Sequence, residues 1–399
     1  MAPVILALGG VGFIGRNFIA YLIDNNLVDH VRVADKALPA TAYLSDKHKK
    51  VFDDKRVEFK QSNLTNAAAV EKIFSRDDGK EFDYVFNLAA ETKYGQSDEV
   101  YDERTFQLSV AVAKEAAKRK VKVFVEVSTA QVYESDKKPS AEEGKLKPWT
   151  AIAKSKLKAE EELKKIPGLN LVIVRPAIVY GWGDVYGITP RLIMGAVYRQ
   201  LNEKMELLWT KDLKMNTVHV DDVARALWHV AATKEEKGGR TRPVTAAEIY
   251  NLADKTDTDQ GKVNQHIQAI FGIDTGFQGT MISQFAKLNL ESVTEDVNDK
   301  HLQPWSELCK AAGVTNTPLT PYLDKELLKD NALSVDGSKT IVEIVEQSSQ
   351  PVNLMFYPLQ QIEKELGFTY TIPQMTEQEL RKVVEEFVAS NMWPKGTTK

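Results

Sequence analysis

Short apolar runs alternate with longer amphipathic stretches through the first half of the chain. The runs are "VILAL" (4–8), "VRVAD" (31–35), "VEFK" (57–60), "YVFNLA" (84–89), "VKVFVEVS" (121–128) and "LNLVIVRP" (169–176). Continuous runs rich in Val, Ile and Phe suit strands covered on both faces, as in a parallel sheet. Between them lie helical patterns, among them "RNFIAYLIDNN", "NAAAVEKIFS", "ERTFQLSVAVAKEAAKRK" and "AIAKSKLKAEEELKK". Strand and helix alternating in this way predict an α/β fold, a doubly wound parallel sheet with right-handed crossovers.

The rhythm changes beyond Gly181. "TPRLIMGAVYRQLNE" and "VDDVARALWHVAATKEEK" read as helices, "LLWTKDLKMNTVHV" between them as a short strand pair, and "EIYNLAD" as one further strand. "KEEKGGRTRP" reads as a charged, solvated loop. Residues 255–345 are polar and mixed, with helical hints at "KVNQHIQAIFG" and "MISQFAKLNLESV". The last fifty residues carry helical patterns at "LQQIEKELGF" and "EQELRKVVEEFVASN". This divides the chain into a domain at 1–180, to which 217–254 return, and a smaller mixed lobe built from 181–216 and 255–399.

Composition narrows the function classes. The chain has 399 residues, 43% hydrophobic and 27% charged, with net charge −4 and a pI near 6.0. A partner that is nucleic acid or an anionic membrane calls for a basic stripe, which this balance argues against. Cys309 is the one cysteine, so no internal disulfide forms, and six scattered histidines offer no metal spacing. "PVILALGG" is too short for a membrane span and lacks a leader's cleavage site, so a cytoplasmic location is expected.

"LALGGVGFIGRNF" places Gly9, Gly12 and Gly15 directly after a strand and at the opening of a helix. Gly9 permits the tight turn, Gly12 lets backbone approach a diphosphate, and Gly15 lets the helix pack against the sheet. The diphosphate would then face the free N–H groups of the helix start. The second strand ends in Asp35, whose carboxylate can accept from the adenosine ribose hydroxyls and would repel a 2′-phosphate. NAD is therefore favoured over NADP as cofactor, with neighbouring Lys36 the feature that would suit NADP. The fold expected is a Rossmann-type sheet, with 1–180 as the NAD-binding domain and the C-terminal lobe as the substrate-binding one.

In order and spacing, these motifs resemble the extended short-chain dehydrogenase/reductase family, the NAD-dependent epimerase/dehydratase group. "GGVGFIG" looks like its glycine turn, "SNLTN" like its adenine contact at Asn63, and "NLAA" (87–90) like its fourth-strand motif. "VSTAQVYE" (127–134) resembles its serine/threonine strand and "SKLKAEE" its lysine helix. "VRPAIVYG" (174–181) and "HVDDVARAL" (219–227) resemble two elements near its substrate crevice. The resemblance covers about residues 4–230 and implies that Gly9, Gly12, Phe13, Ile14, Gly15, Asp35, Asn63, Leu64, Leu88, Ala89, Ala90, Lys156 and Pro176 contact the cofactor.

It also implies catalysis by Thr129 and Lys156, together with a tyrosine four residues before the lysine that shuttles the proton. Ile152 stands in that place. A tuned hydroxyl contributes roughly 10²- to 10⁴-fold to such steps, and isoleucine has no proton to give. Tyr94 and Tyr186, on loops at the crevice, are the candidate replacements. Glu91 reads as a loop carboxylate, and Tyr133 and Tyr180 as packing aromatics with satisfied hydroxyls. His219 reads as a turn stabiliser before Asp221 and Asp222, which would cap the following helix. Ala130 and Gln131 stand where the dehydratase branch has two acidic residues, which argues against that route.

Two functions remain open. One is an NAD-dependent oxidoreductase or epimerase acting on a hydroxyl or ketone of a small-molecule substrate. The other is a catalytically silent NAD-binding regulatory or structural protein. "WGDVYGITPRLIMGAV" (182–197) would form the first wall of the substrate pocket, with Trp182 and Tyr186 for stacking and Arg191 for an anion. A homodimer through the helices at 103–118 and 151–163 would follow the family's habit.

Overall fold

Each apolar run becomes a strand because alternate residues face two separate apolar layers. In the computed structural model, which describes residues 2–238, 247–339 and 368–399, the strands are β1 (Val4–Leu8), β2 (His30–Asp35), β3 (Val57–Gln61), β4 (Tyr84–Asn87), β5 (Val123–Val127), β6 (Leu171–Pro176), β7 (Ile178–Tyr180), β8 (Met205–Leu207), β9 (Thr217–His219), β10 (Glu248–Leu252) and β11 (Thr275–Phe277). Seven of them form one sheet in the order β10-β6-β5-β4-β1-β2-β3, with every pair parallel. Ile5 and Ala7 of β1 enter one core with Phe18, Val33 and Phe86. Leu6 and Leu8 enter the other with Ile73, Val112 and Phe124. That two-sided burial is why β1 reads as an unbroken hydrophobic run. β1 lies between β2 and β4, so the winding reverses there and opens a crevice at the strands' carboxyl ends.

A further apolar core gathers residues of 180–215, 263–323 and 375–393, including Met194, Phe271, Trp305 and Trp393. Two expectations change here. "LLWTKDLKMNTVHV" supplies β8 and β9, but they do not pair with each other. β8 pairs with β11 and β9 with β7, both in parallel. The helix from Val220 runs to Gly238, so the stretch expected to be a loop from Lys234 is helical at its start. The remainder of that stretch, and the helix expected at 359–368 apart from Phe368, lie outside the described residues.

The polar region holds a 22-residue helix, Leu290–Ala311, with Pro304 inside it. Its buried face is Thr294, Asn298, His301, Trp305 and Cys309. Helical spacing is present there but carried mainly by polar residues. Asn298 accounts for its burial by donating to the Leu323 carbonyl (2.9 Å) and accepting from the Leu323 N–H (2.8 Å). Among the described residues, no helix is long and apolar enough to cross a membrane.

Candidate active site

The chain leaves β1 through Gly9 at φ +75°, where a Cβ would lie 2.7 Å from the backbone of Ala89. A Cβ on Gly15 would lie 2.4 Å from the Gly9 carbonyl oxygen. Both glycines are therefore required by the fold itself. Gly12 is different: its backbone is ordinary (φ −63°, ψ 176°) and an added Cβ would come no closer than 3.2 Å to Gly9. It begins the helix Phe13–Asp24, which has no side-chain cap. First-turn amides without partners form an anion site. An uncapped helix start with a bare glycine before it fits a diphosphate.

Asp35 closes the turn from the side. Its carboxylate accepts from the N–H of Val11 and of Ala37, both at 3.0 Å. Each oxygen keeps a lone pair for a further donor, which fits a ribose diol. Asn63 is exposed, and its carbonyl oxygen accepts from the Thr65 N–H and hydroxyl (3.2 and 3.1 Å). A cleft of about 980 Å³ runs past these groups. Phe13, Ile14, Leu64, Leu88, Ala89, Ala90 and Pro176 line it, as do Thr129, Ile152, Lys156, Tyr94 and Tyr186. The structure thus brings the expected cofactor and catalytic residues to one cavity.

The lysine helix, Ala151–Leu163, is held at three points. Thr150 caps it by accepting from the Ala153 N–H at 3.1 Å. The Ser155 hydroxyl donates to the Tyr101 carbonyl at 2.9 Å. Fully buried Glu160 pairs with Arg175 of β6 through two contacts, at 3.0 and 2.5 Å. The serine, lysine and glutamate of "SKLKAEE" therefore have separate jobs, and two of them aim the third.

Lys156 is 6% exposed, and its ammonium donates to the Val127 carbonyl (2.6 Å) and to the Glu126 carboxylate (3.4 Å). Glu126 is completely buried in β5 and also accepts from the Asn87 amide (2.6 Å) and the Ser109 hydroxyl (3.0 Å). Burial raises its pKa, against the pull of Lys156 and these donors. Sequence reasoning missed Glu126. The signal was a lone carboxylate inside the apolar run "VFVEV", which a charged residue occupies only when partnered.

Beside the lysine, the Thr129 hydroxyl accepts from the Gln131 N–H at 3.2 Å. The Gln131 side chain accepts from Thr150 (2.9 Å) and donates to the Tyr94 hydroxyl (3.4 Å). Burial pushes the Tyr94 phenol up to about 12, so it stays protonated at neutral pH. Tyr186 lies at the rim, 44% exposed. Ile152 lines the cleft and leaves no hydroxyl at its place.

Glu91 pairs with Arg104 at 3.1 Å. Tyr133 has a satisfied hydroxyl, bound to Asn251 and Arg175. Tyr180 does not: it is fully buried, and its hydroxyl has no partner among the described residues. His219 accepts from the Asp221 N–H at 3.2 Å, as a turn stabiliser should. Asp222 is no cap; it lies within the helix's first turn and binds Arg225, Thr371 and Ile372, anchoring the segment after 368. Trp182 is absent from the cleft wall and contributes its carbonyl to Asn17 instead. Arg191 does line the cleft.

The profile of the family described as "NAD dependent epimerase/dehydratase family" matches residues 5–253. An uncharacterized protein of Schizosaccharomyces pombe is 25% identical over 234 residues, 54% of this chain and 63% of that one. A bifunctional UDP-glucose 4-epimerase and UDP-xylose 4-epimerase of Pisum sativum is 28% identical over 182 residues, 43% and 51% of the two chains. The chain thus spans less than two thirds of either curated relative. Among solved structures, the Bordetella bronchiseptica enzyme WbmG in complex with NAD and UDP has TM-score 0.63 at 17% identity, covering 99% of this chain and 96% of that one. DesIV, a dTDP-glucose 4,6-dehydratase from Streptomyces venezuelae with NAD bound, has TM-score 0.62 at 20% identity, covering 99% of each. At such identity these two likenesses speak to the fold.

Proposed function

From the premise that the chain belongs to the NAD dependent epimerase/dehydratase family, we propose that it binds NAD across the sheet's carboxyl edge and oxidises or reduces a hydroxyl or ketone carbon of a small molecule. The observation that carries this reading is the single cleft in which the glycine turn and Asp35 open onto Thr129 and the buried Lys156. The helix start beyond Gly12 would hold the diphosphate, Asp35 the adenosine ribose, and Asn63 and Leu64 the adenine. Lys156, aimed by Ser155 and Glu160, would hold the nicotinamide ribose. When bound, the cofactor supplies the hydride acceptor or donor.

The chain's own groups handle the proton. Thr129 hydrogen-bonds the reacting oxygen. Tyr94, linked to Thr129 through Gln131, supplies the hydroxyl that Ile152 lacks. With its pKa raised, Tyr94 stays protonated, so it has a proton to give a ketone oxygen but no phenolate to take one from an alcohol. Ala130 and Gln131 carry no acid, so dehydration through a paired acid and base is not part of the reading.

Ile152 at the centre of the cleft favours one competing reading, an NAD-binding regulatory or structural protein without turnover. Adding ketones and alcohols to the NADH- and NAD-loaded protein separates the two by nicotinamide absorbance. Turnover that survives in wild type and falls in Tyr94→Phe supports the proposal. Tight cofactor binding with silent absorbance, and turnover gained only in Ile152→Tyr, would mark a site that has lost its chemistry.

A further inference from the structure

The C-terminal lobe's share of the cleft wall has a firmly built apolar stretch, bordered by Glu206, Lys214, Gln260, Lys329 and Asn331. Met194, Leu208, Trp209, Leu213, Leu323 and Leu328 line it. The Trp209 indole donates to the Leu328 carbonyl at 2.9 Å, and Asn298 grips the backbone of Leu323 at both ends. Into this wall opens Arg191, in the first turn of the helix Thr189–Leu201. The loop before that helix is pinned by fully buried Asp184, which accepts from the N–H groups of Gly187, Ile188 and Thr189 at 2.6 to 3.0 Å.

Arg191 has no hydrogen-bond acceptor and no acidic partner among the described residues, whereas Arg104, Lys156 and Lys214 on the same cleft each face a carboxylate. Burial alone lowers its pKa to about 10. A second orphan faces the same space. His301 is 1% exposed, and neither of its ring nitrogens has a hydrogen-bond partner among the described residues. Burial and Lys300 lower its pKa to about 4, so it offers a neutral donor and acceptor. The buried imidazole of His301, without a partner among the described residues, weakens the empty fold, while half-buried Arg191 keeps its guanidinium open to the cleft. Such groups are met where a ligand completes them.

We infer that the substrate is an apolar molecule bearing one anionic end, a carboxylate or a phosphate, which Arg191 binds while His301 meets a neutral polar group. This rests on the nicotinamide reading, because the wall belongs to the same cleft.

The test is titration calorimetry of the full NAD-loaded chain with decanoate, decyl phosphate, decanol and UDP-glucose. An anionic probe should bind at least roughly tenfold more tightly than decanol, and the better of the two assigns the anion. Arg191→Met should remove that preference, leave decanol and NAD affinity unchanged, and leave the melting temperature equal or higher. Arg191→Gln, which keeps polarity without charge, should lose the preference too. Equal anion binding in both variants, tighter binding of UDP-glucose, or no probe binding despite bound NAD would overturn the inference. Failure to bind NAD at all would instead strike the nicotinamide reading.

Discussion

Lys156 sits in a place where an ammonium without a counter-charge would be costly, and Glu126 removes that cost. Breaking a buried pair by deleting one partner typically destabilises by about 3–5 kcal/mol, while removing both costs far less. Glu126→Leu should therefore lower stability by that order, and Glu126→Leu with Lys156→Met should recover most of it. A denaturation cycle on the four proteins measures the coupling. Independent, additive losses would mean that the two side chains do not act as a pair. The lysine was legible in "SKLKAEE" because its neighbours Ser155 and Glu160 are part of a recurrent pattern. Glu126 and Gln131 were not, because what each binds depends on strands and loops far away in sequence.

At the scale of elements, His48 ties the helix Asp46–Phe52 to the glycine-turn helix. Its ring nitrogens lie 2.8 Å from the Ser45 hydroxyl and 3.1 Å from the Asn17 amide oxygen, and the residue is 2% exposed. Burial, with Arg16 and Lys47 nearby, lowers its pKa to about 3. The unfolded chain, with an ordinary histidine, takes up this proton first as pH falls. The contribution is therefore intact above about pH 6.5 and is lost on the way down toward pH 3, reaching about 2 kcal/mol near pH 5. His48→Gln should flatten the fall in melting temperature between about pH 7 and pH 5; an unchanged slope would rule out this assignment. Elements with apolar periodicity, from β1 to the lysine helix, were readable because burial alone decides them. The helix Leu290–Ala311 was not, since polar Thr294, Asn298 and His301 supply most of its buried face and Pro304, a residue that reads as a helix breaker, lies inside it. Strand partners were equally hidden: β8 and β9 satisfy the strand pattern, but which strand each joins is decided by the sheet and lobe around them.

Across the whole molecule, the sheet domain offers a cofactor-shaped edge and the second core closes it into a cleft with an apolar wall. Gly12 is the position where ligand binding and folding can be separated. Its backbone dihedrals suit any residue, and a side chain there would fill the approach to the helix start at the cost of a tight 3.2 Å contact with the Gly9 carbonyl oxygen, far milder than the clashes at Gly9 and Gly15. The most direct measurement is calorimetric titration of NAD into wild type and Gly12→Val, with melting temperatures recorded beside it. The account expects one saturable site in wild type and affinity lower by roughly a hundredfold or more in the variant, with the unliganded variant still folded and its melting temperature lowered only modestly. Equal affinity in the two proteins, or no heat of binding in wild type, would contradict it.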